Sequence, residues 1–159
     1  MAVLVVTDQE FDQILHDAQE LYRTLGHIHC PYFQDKVQFN VLGFEHLRRK
    51  AWNRGREQLD QFMRLKHIAR APEILRLSRT VQGIEVTQEW ERRHKHGRWE
   101  KTMVPVTYYE FVAVLNSRRF KVIVKQLPGG QRIFWSLIPF WRQDEQGRRL
   151  LHDGDPAAD

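Results

Sequence analysis

Residues 104–141 read VPVTYYEFVAVLNSRRFKVIVKQLPGGQRIFWSLIPFW, and this stretch decides the fold. Polar and apolar residues alternate in three runs, as in β-strands, whose side chains point to the two faces of a sheet in turn. The runs cover residues 108–115, 119–126 and 131–138. Turn-forming residues separate them, NSR at 116–118 and PGG at 128–130. The pattern predicts three antiparallel strands joined by two short turns.

The pairing register determines which side chains share a face. If both turns have an even number of residues, Lys125 lies opposite Glu110. The other expected neighbours are Arg132 or Phe134 for Lys125, and Val114 and Ser136 for Lys121. One face is then apolar and should pack on helices: Phe111, Ala113, Leu115, Phe120, Val122, Val124, Ile133, Trp135 and Leu137. The other is a polar and cationic strip among apolar neighbours: Tyr108, Glu110, Val112, Val114, Lys121, Ile123, Lys125, Arg132, Phe134 and Ser136.

A carboxylate, two lysines, an arginine and a hydroxyl on one sheet face suit the binding of a phosphodiester. An odd-length turn would scatter them. The alternative is structural, since antiparallel sheets often have one solvated face on which cross-strand Glu/Lys pairs are ordinary stabilising contacts.

Length and composition indicate one domain over residues 1–142. The chain has 159 residues, of which 42% are hydrophobic, enough for a folded core. Residues 143–159 lose all periodicity and are expected to form a disordered tail. Cys30 is the single cysteine, so an internal disulfide is excluded. The opening MAVLVV is too short for a signal peptide, and no stretch approaches a membrane span, so a cytoplasmic location is expected.

Charge is strongly segregated along the chain. Residues 1–35 carry a net charge of −5 and residues 143–159 carry −3, which leaves +13 on residues 36–142 of a chain whose net charge is +5. A basic body of this size attracts polyanions and is typical of proteins that bind nucleic acid. A basic solvated surface without a partner gives the same pattern.

The N-terminal half is predicted to be mainly helical. Thr7 and Glu10 have the spacing of a capping box, and the apolar positions that follow recur at helical spacing up to Gly26. A short strand is expected over residues 36–41. Gly43 should then turn the chain into a helix that has His46 in its first turn.

His46 is a candidate for acid/base chemistry. An imidazole exchanges protons near neutral pH, and the cations Arg48, Arg49 and Lys50 that follow it could hold a phosphate beside helix N-terminal amides. The structural alternative is a histidine that bonds across the junction between strand and helix.

Residues 56–70 predict a second long helix, and a further short helix is expected from Pro72 to Ser78. Arg56 and Arg64 lie outside the apolar side of the long helix and are expected to be solvated. A strand over residues 84–90 should lead into a basic hairpin tip at 91–98, flanked by Trp90 and Trp99. Such a tip could contact RNA or be a simple exposed turn.

Several chemistries lack their sequence signals. The chain has no Walker loop, GxGxxG, GxSxG or HExxH motif. No carboxylate or cysteine spacing completes a metal site around His16, His27 or His29. No metal or other cofactor is therefore expected.

With the helices, the turn VQFNVLGFEHLRRK and the closing KVIVKQLPGGQRIFWSLIPFW, the chain resembles the phage- and toxin-associated nucleases of the barnase/EndoU/colicin/RelE-like fold. The resemblance covers roughly residues 35–141. It implies an α+β fold, with N-terminal helices packed on one face of a roughly four-stranded antiparallel sheet. It also implies a metal-independent ribonuclease, often a toxin acting on tRNA or mRNA.

The resemblance assigns roles to individual residues. His46 matches the histidine after the first strand, Lys125 and Arg132 match cationic sheet residues, and Ser136 matches the polar residue of the closing strand. Glu110 corresponds to a sheet carboxylate that some relatives use as a base. Cleavage through the ribose 2′-hydroxyl then needs His46 and Glu110 as acid and base and cations on the phosphate. The expected substrate contacts come from Arg48, Arg49, Lys50, Tyr108, Lys121 and Phe134.

Three function classes remain open at this point. The first is a ribonuclease of toxin type, which would need an acidic antitoxin or immunity protein to restrain it. The second is an RNA- or DNA-binding module without catalysis. The third is a basic adaptor whose partner is an acidic protein. Only the enzyme should lose activity on His46→Ala while it keeps RNA binding, and the adaptor should show little salt-dependent affinity for RNA.

Overall fold

Four helices precede a large antiparallel hairpin along the chain. The computed structural model describes residues 5–51, 54–139, 157 and 159, and over these it has an α+β architecture, as predicted. The helices are α1 (Asp8–Leu25), α2 (Val41–Arg48), α3 (Gln58–Lys66) and α4 (Arg70–Leu77). The strands are β1 (His27–Cys30), β2 (Asp35–Gln38), β3 (Arg49–Ala51), β4 (Arg54–Gly55), β5 (Gly83–Lys95), β6 (Arg98–Leu115), β7 (Arg118–Gln126) and β8 (Arg132–Pro139). None of the described helices is long and apolar enough to cross a membrane.

The main sheet is larger than the four strands predicted. It has six strands in the order β1-β2-β8-β7-β6-β5, and β3 pairs separately with β4. Strands β5 to β8 form the expected antiparallel meander. The β1–β2 hairpin extends it through one parallel pair, Gln38 with Ile133, which makes the sheet mixed. Residues 27–30, for which no strand is predicted, form β1, in which the alternate residues Ile28 and Cys30 are buried.

The first helix follows the prediction. Thr7 is its N-cap, and the reciprocal bonds of a capping box join Thr7 and Glu10. Gly26 ends the helix at a φ of 60°, a left-handed conformation that suits glycine. The helix buries Phe11, Ala18 and Tyr22.

The second helix begins earlier than predicted. Asn40 caps it, because its side-chain oxygen accepts hydrogen bonds from the backbone amides of Leu42 and Gly43. Gly43 therefore lies inside the helix rather than at a turn before it. His46 lies in the last turn, so the expected placement of His46 beside helix N-terminal amides is wrong.

The predicted helix over residues 56–70 is α3, which is shorter than expected. The predicted short helix from Pro72 to Ser78 is α4, which begins earlier, at Arg70. A turn at residues 67–69 separates α3 from α4, and the backbone amide of Arg70 donates to the carbonyl of His67 across it. Arg56 precedes α3, and its amide donates to the carbonyl of Arg48 at the end of α2. The β3–β4 ribbon thus brings the chain back to the point where α2 ended.

The register between β6 and β7 is two residues from the prediction. The turn contains only Asn116 and Ser117, both with positive φ, so Lys125 pairs with Tyr108 rather than Glu110. Because the turn is still even in length, Glu110 and Lys125 share a face as expected. Lys121 pairs with Val112, not Val114.

A β-bulge in β8 changes which of its residues share a face. Ile123 pairs with Ser136, but the next residue, Val124, pairs with Phe134, so Trp135 is the extra residue. Phe134 therefore joins the helix-facing core, while Trp135 contacts Tyr108 on the other face. Arg132 pairs with Gln126 and lies on the helix-facing side. The expected grouping of Arg132 and Phe134 with Lys125 is thus wrong.

Two hydrophobic clusters lie on the two faces. The larger joins all four helices to the side of the sheet that carries Phe111, Val122 and Leu137, as predicted for an apolar face. The smaller, on the opposite face, contains Val104, Val106, Tyr108, Ile123 and Ile138, with Trp135 packed against it. The face expected to be an open polar strip is therefore partly buried.

Gly43 permits the close approach of α2 to β8. An added Cβ would clash with the backbone carbonyl oxygen of Phe134 and lie 2.9 Å from the Tyr22 hydroxyl. Gly43→Ala should lower the free energy of unfolding by about 2 kcal/mol, because the steric cost exceeds the gain of roughly 1 kcal/mol in helix propensity. Urea denaturation measures the change. Gly55→Ala is the control, since nothing lies within 4 Å of its added Cβ, and a stability equal to that control would contradict the packing described.

Candidate functional site

Arg64 and Ser136 form the floor of a buried polar site. Arg64 lies on α3 with none of its surface exposed, and its Nη1 donates to Ser136 Oγ at 2.8 Å. Its Nε donates to Asp60 Oδ1 at 2.6 Å, which places a carboxylate against the buried guanidinium. A buried charge needs such a partner, because its desolvation otherwise costs several kcal/mol.

Arg56 brings a second guanidinium to the same place. It is 5% exposed, its Nη1 lies 3.8 Å from Asp60 Oδ2, and its Nε donates to the carbonyl of His46 at 3.0 Å. Its Nη2 lies 3.1 Å from His46 Nε2. Because arginine has only donors, Nε2 accepts this bond and the ring proton is assigned to Nδ1. We call Arg56, Arg64, Ser136 and His46 the arginine pocket.

His46 is held neutral in the arginine pocket. Its ring stacks on Trp135 with the centroids 4.2 Å apart, and the residue is 4% exposed. Burial, followed by the positive charges of Arg56, Arg64 and Lys125, lowers the pKa of His46 to about 2. The imidazole is therefore a proton acceptor and not a proton donor at neutral pH.

Three donors of the pocket converge on one oxygen. The main-chain oxygen of Asp159 accepts hydrogen bonds from Arg56 Nη2 at 3.1 Å, from Ser136 Oγ at 2.7 Å and from Arg64 Nη1. Asp159 is 1% exposed. Nearby, the indole Nε1 of Trp135 donates to the carbonyl of Ala157 at 3.2 Å. The arrangement is an oxygen-binding hole made by two cations and a hydroxyl.

Residues 143–159 were expected to be a disordered tail. Residues 143–156 and 158 lie outside the described residues. Ala157 and Asp159 are in contact with the pocket.

Lys125 lies beside the pocket. Its Nζ lies over the Trp135 ring, 4.2 Å from the centroid, in the position of a cation–π interaction. The same Nζ is 5.7 Å from the Tyr108 ring centroid. Glu89 accepts from Lys125 at 3.3 Å and also from the Tyr108 hydroxyl. Trp135 thus links Lys125 to His46 through its ring.

Glu110 is not part of this group. Its Oε2 lies 3.5 Å from Lys121 Nζ in a separate ion pair. Glu110, Ile123 and Ser136 form one cross-strand row, so Glu110 lies two strand spacings, about 10 Å, from Ser136. Of the five residues expected to be catalytic, the structure brings together His46, Lys125 and Ser136.

Arg132 is fixed on the opposite face of the sheet. Its guanidinium contacts Asp35 and Gln126 and lies 4.4 Å from the Phe33 ring centroid. Phe134 and Tyr108, expected to contact substrate, are at most 1% exposed and are not available for base stacking in this structure.

The basic run after His46 lies next to the pocket. The half-buried Arg48 donates to Gln61, which in turn donates to the carbonyl of Arg56. Arg49 is exposed and Lys50 half-buried on β3. Their expected role in substrate binding stays a prediction.

The exposed aromatic residues of the β5–β6 hairpin lie on the opposite face of the sheet from the pocket residues. Trp90 and Trp99 are 69% and 65% exposed, on the helix-facing side of β5 and β6 together with Met103. Arg92 lies 5.7 Å from the Trp99 ring centroid. The pocket residue Ser136 and the neighbouring Lys125 belong to the other face, so the hairpin aromatics and the arginine pocket do not form one surface.

No metal site is evident in the part of the chain that the structure describes, where no three His, Cys, Asp or Glu side chains are grouped to hold an ion.

Comparison with known proteins gives no match: no family model, no curated protein and no solved structure is similar to this chain.

Sequence reasoning missed Arg56, Arg64 and Trp135. Arg56 and Arg64 were assigned to a solvated face, which is wrong. One signal was present, since Asp60 lies four residues from each arginine and can pair with both on one helix face. Nothing in the sequence placed Trp135 beside His46, because that contact depends on the bulge.

The depressed pKa of His46 makes stability depend on pH. The unfolded chain takes up a proton near pH 6.5 whereas the folded protein does so only near pH 2, so stability is complete above pH 6.5 and is lost as pH falls. Between pH 7 and pH 5, His46 alone should remove about 2 kcal/mol from the free energy of unfolding. His46→Asn retains an acceptor for Arg56 but has no imidazole to protonate. Its free energy of unfolding, measured by urea denaturation, should therefore fall by about 2 kcal/mol less than that of the wild type between pH 7 and pH 5.

The control for this comparison is His16→Asn on the first helix. It should show the pH dependence of the wild type. An unchanged pH dependence in His46→Asn would contradict the buried neutral imidazole.

Proposed function

We propose that this protein is a metal-independent endoribonuclease whose arginine pocket receives the scissile phosphate of RNA. The single observation that supports this is the convergence of Arg56, Arg64 and Ser136 on one oxygen atom. The basic body of the chain, +13 over residues 36–142, would attract RNA to this site. The resemblance in sequence pattern to toxin nucleases points to the same chemistry.

The donor set suits the transition state of phosphodiester cleavage. Attack of the ribose 2′-oxygen on phosphorus increases the negative charge on the non-bridging oxygens. Two guanidinium groups that are already oriented and largely desolvated stabilise that charge more strongly than water does. Asp60 fixes Arg64 and Ser136 Oγ offers a further hydrogen bond, so little reorganisation is needed when the charge develops.

His46 supplies the base in this proposal. Its Nε2 takes the proton of the 2′-hydroxyl, the O2′–P bond forms, and the P–O5′ bond breaks. A bound phosphate gives Arg56 a stronger acceptor than His46 Nε2, which frees that nitrogen. The phosphate charge also offsets the field of Arg56 and Arg64, so the pKa of His46 rises, while burial, the larger cause of its depression, still holds it below the ordinary value.

Lys125 is the proposed acid. Its ammonium group protonates the departing 5′-oxygen, so that the products are a 2′,3′-cyclic phosphate and a 5′-hydroxyl. The Lys125 cation and the His46 ring both contact Trp135, which supports an acid and a base that act on one phosphate. Solvent then restores both protonation states. This role replaces the one expected for Glu110.

Further parts of the proposal follow from charge. Arg48, which is linked to Arg56 through Gln61, and the two cations that follow it, Arg49 and Lys50, are the proposed contacts for phosphates that flank the cleaved bond. A nuclease of cellular RNA needs restraint, so an acidic antitoxin or immunity protein is the proposed partner. The proposed location is the cytoplasm, where both RNA and such a partner are present.

A second candidate function is RNA binding without cleavage. It is favoured by the low pKa of His46, since an imidazole with a pKa of about 2 is a weak base. It is also favoured by the Glu110–Lys121 ion pair, which removes the expected carboxylate from the site.

Incubation of the purified protein with total tRNA and a generic mRNA in EDTA tests the proposal. The wild type should give discrete fragments that end in cyclic phosphate. His46→Asn should lower the cleavage rate by about 100-fold or more, and Lys125→Gln should lower it by at least about tenfold, with both variants folded by circular dichroism. RNA binding should be largely retained.

Arg132→Gln is the matched control, a cation of the neighbouring strand that lies on the other face and is also paired with a carboxylate. Its rate should stay within about threefold of the wild type. Intact RNA in every lane, together with salt-sensitive RNA binding, would eliminate the nuclease and leave the binding module.

A further inference from the structure

We propose that Asp159 is an internal competitor of RNA, which occupies the arginine pocket and must leave before a phosphate can bind. This regulation rests on the proposed function of the pocket. It is supported by contacts that are independent of any catalytic role.

The occupant uses the same atoms that a phosphate would need. Arg56 Nη2, Arg64 Nη1 and Ser136 Oγ all donate to the main-chain oxygen of Asp159. A phosphate oxygen and this oxygen cannot be bound by the same three donors at once. Binding of one therefore excludes the other.

Charge makes Asp159 a fitting occupant. The two buried arginines both pair with Asp60. Asp159, which is 1% exposed, adds a carboxylate to the same buried region. An RNA phosphate is also an anion, so it can replace Asp159 and still place negative charge beside the buried arginines.

A second contact holds the same segment against Trp135. The indole Nε1 donates to the carbonyl of Ala157 at 3.2 Å, on the aromatic ring that also contacts His46 and Lys125. Displacement of the segment therefore changes an observable group, the indole proton of Trp135. It also uncovers a ring that lies beside the proposed phosphate site.

Attachment to the same chain gives Asp159 an advantage over free ligands. A tethered group competes at an effective concentration of about a millimolar. Weak anions should consequently bind poorly until the contact is broken. Longer RNA, which gains further contacts with the basic surface, can displace it.

Calorimetric titration with inorganic pyrophosphate and with a 2′-O-methyl tetranucleotide tests the proposal on the full chain. Asp159→Arg places a third guanidinium beside two others and should expel the segment, so both probes should bind at least about tenfold more tightly than to the wild type. Asp12→Arg, an exposed acid of α1, makes the same change in net charge and should alter the affinity by less than about twofold. Equal affinities for Asp159→Arg and Asp12→Arg would overturn the proposal.

A spectroscopic measurement keeps the test independent of cleavage. The chain has five tryptophans, and Trp135→Phe assigns the indole Nε1 proton in an NMR spectrum. Asp159→Arg, or saturating pyrophosphate on the wild type, should shift that resonance. A resonance that moves in neither case would contradict the competition.

A second, more conservative variant tests the proposal if Asp159→Arg does not fold. If Asp159→Arg is unfolded by circular dichroism, Asp159→Asn, which removes only the charge, should give an intermediate gain in affinity, and no gain would contradict the competition. Tighter probe binding without cleavage of RNA by any variant would sustain the competition and refute the nuclease. Cleavage by the wild type with no gain in either Asp159 variant would refute the competition alone.

Discussion

The burial of two guanidinium groups is the constraint on which the rest of the site depends. Arg56 and Arg64 expose at most 5% of their surface. Buried charges of this kind are tolerated only when the fold positions ionic and hydrogen-bonding partners beside them. Asp60 supplies a counter-charge, and His46 accepts one hydrogen bond and is kept neutral by burial and by the neighbouring cations. The arrangement of the arginine pocket follows from the need to satisfy these cations.

Two backbone features make that burial possible. The β3–β4 ribbon returns the chain so that Arg56 meets the end of α2, and the bulge in β8 puts Trp135 beside His46 while Ser136 reaches Arg64. A regular β8 would have left Trp135 on the helix-facing side. The bulge therefore determines the composition of the site, as bulges near functional sites often do.

The sequence predicted the class of fold and most of the meander, because alternation, capping boxes and turn residues are local signals. It also grouped His46, Lys125 and Ser136, which the structure brings near one another around Trp135 and Arg64. It could not predict the burial of Arg56 and Arg64, since a charged residue beside an apolar stripe is usually solvated and only tertiary contacts reverse that expectation. The misplacement of Arg132 and Phe134 has a single cause, the one-residue bulge at Trp135, because the residues that precede it in β8 lie on the face opposite to the one predicted.

The crystal structure of a complex with a 2′-O-methyl oligoribonucleotide, which lacks the attacking hydroxyl, tests the central claim most directly. We expect one phosphate to lie within hydrogen-bond distance of Arg56, Arg64 and Ser136, with its 2′-oxygen directed at His46 Nε2. An oligonucleotide bound with its phosphates elsewhere, for example along the exposed Trp90 and Trp99 of the β5–β6 hairpin, while the arginine pocket stays closed to it, would contradict the account.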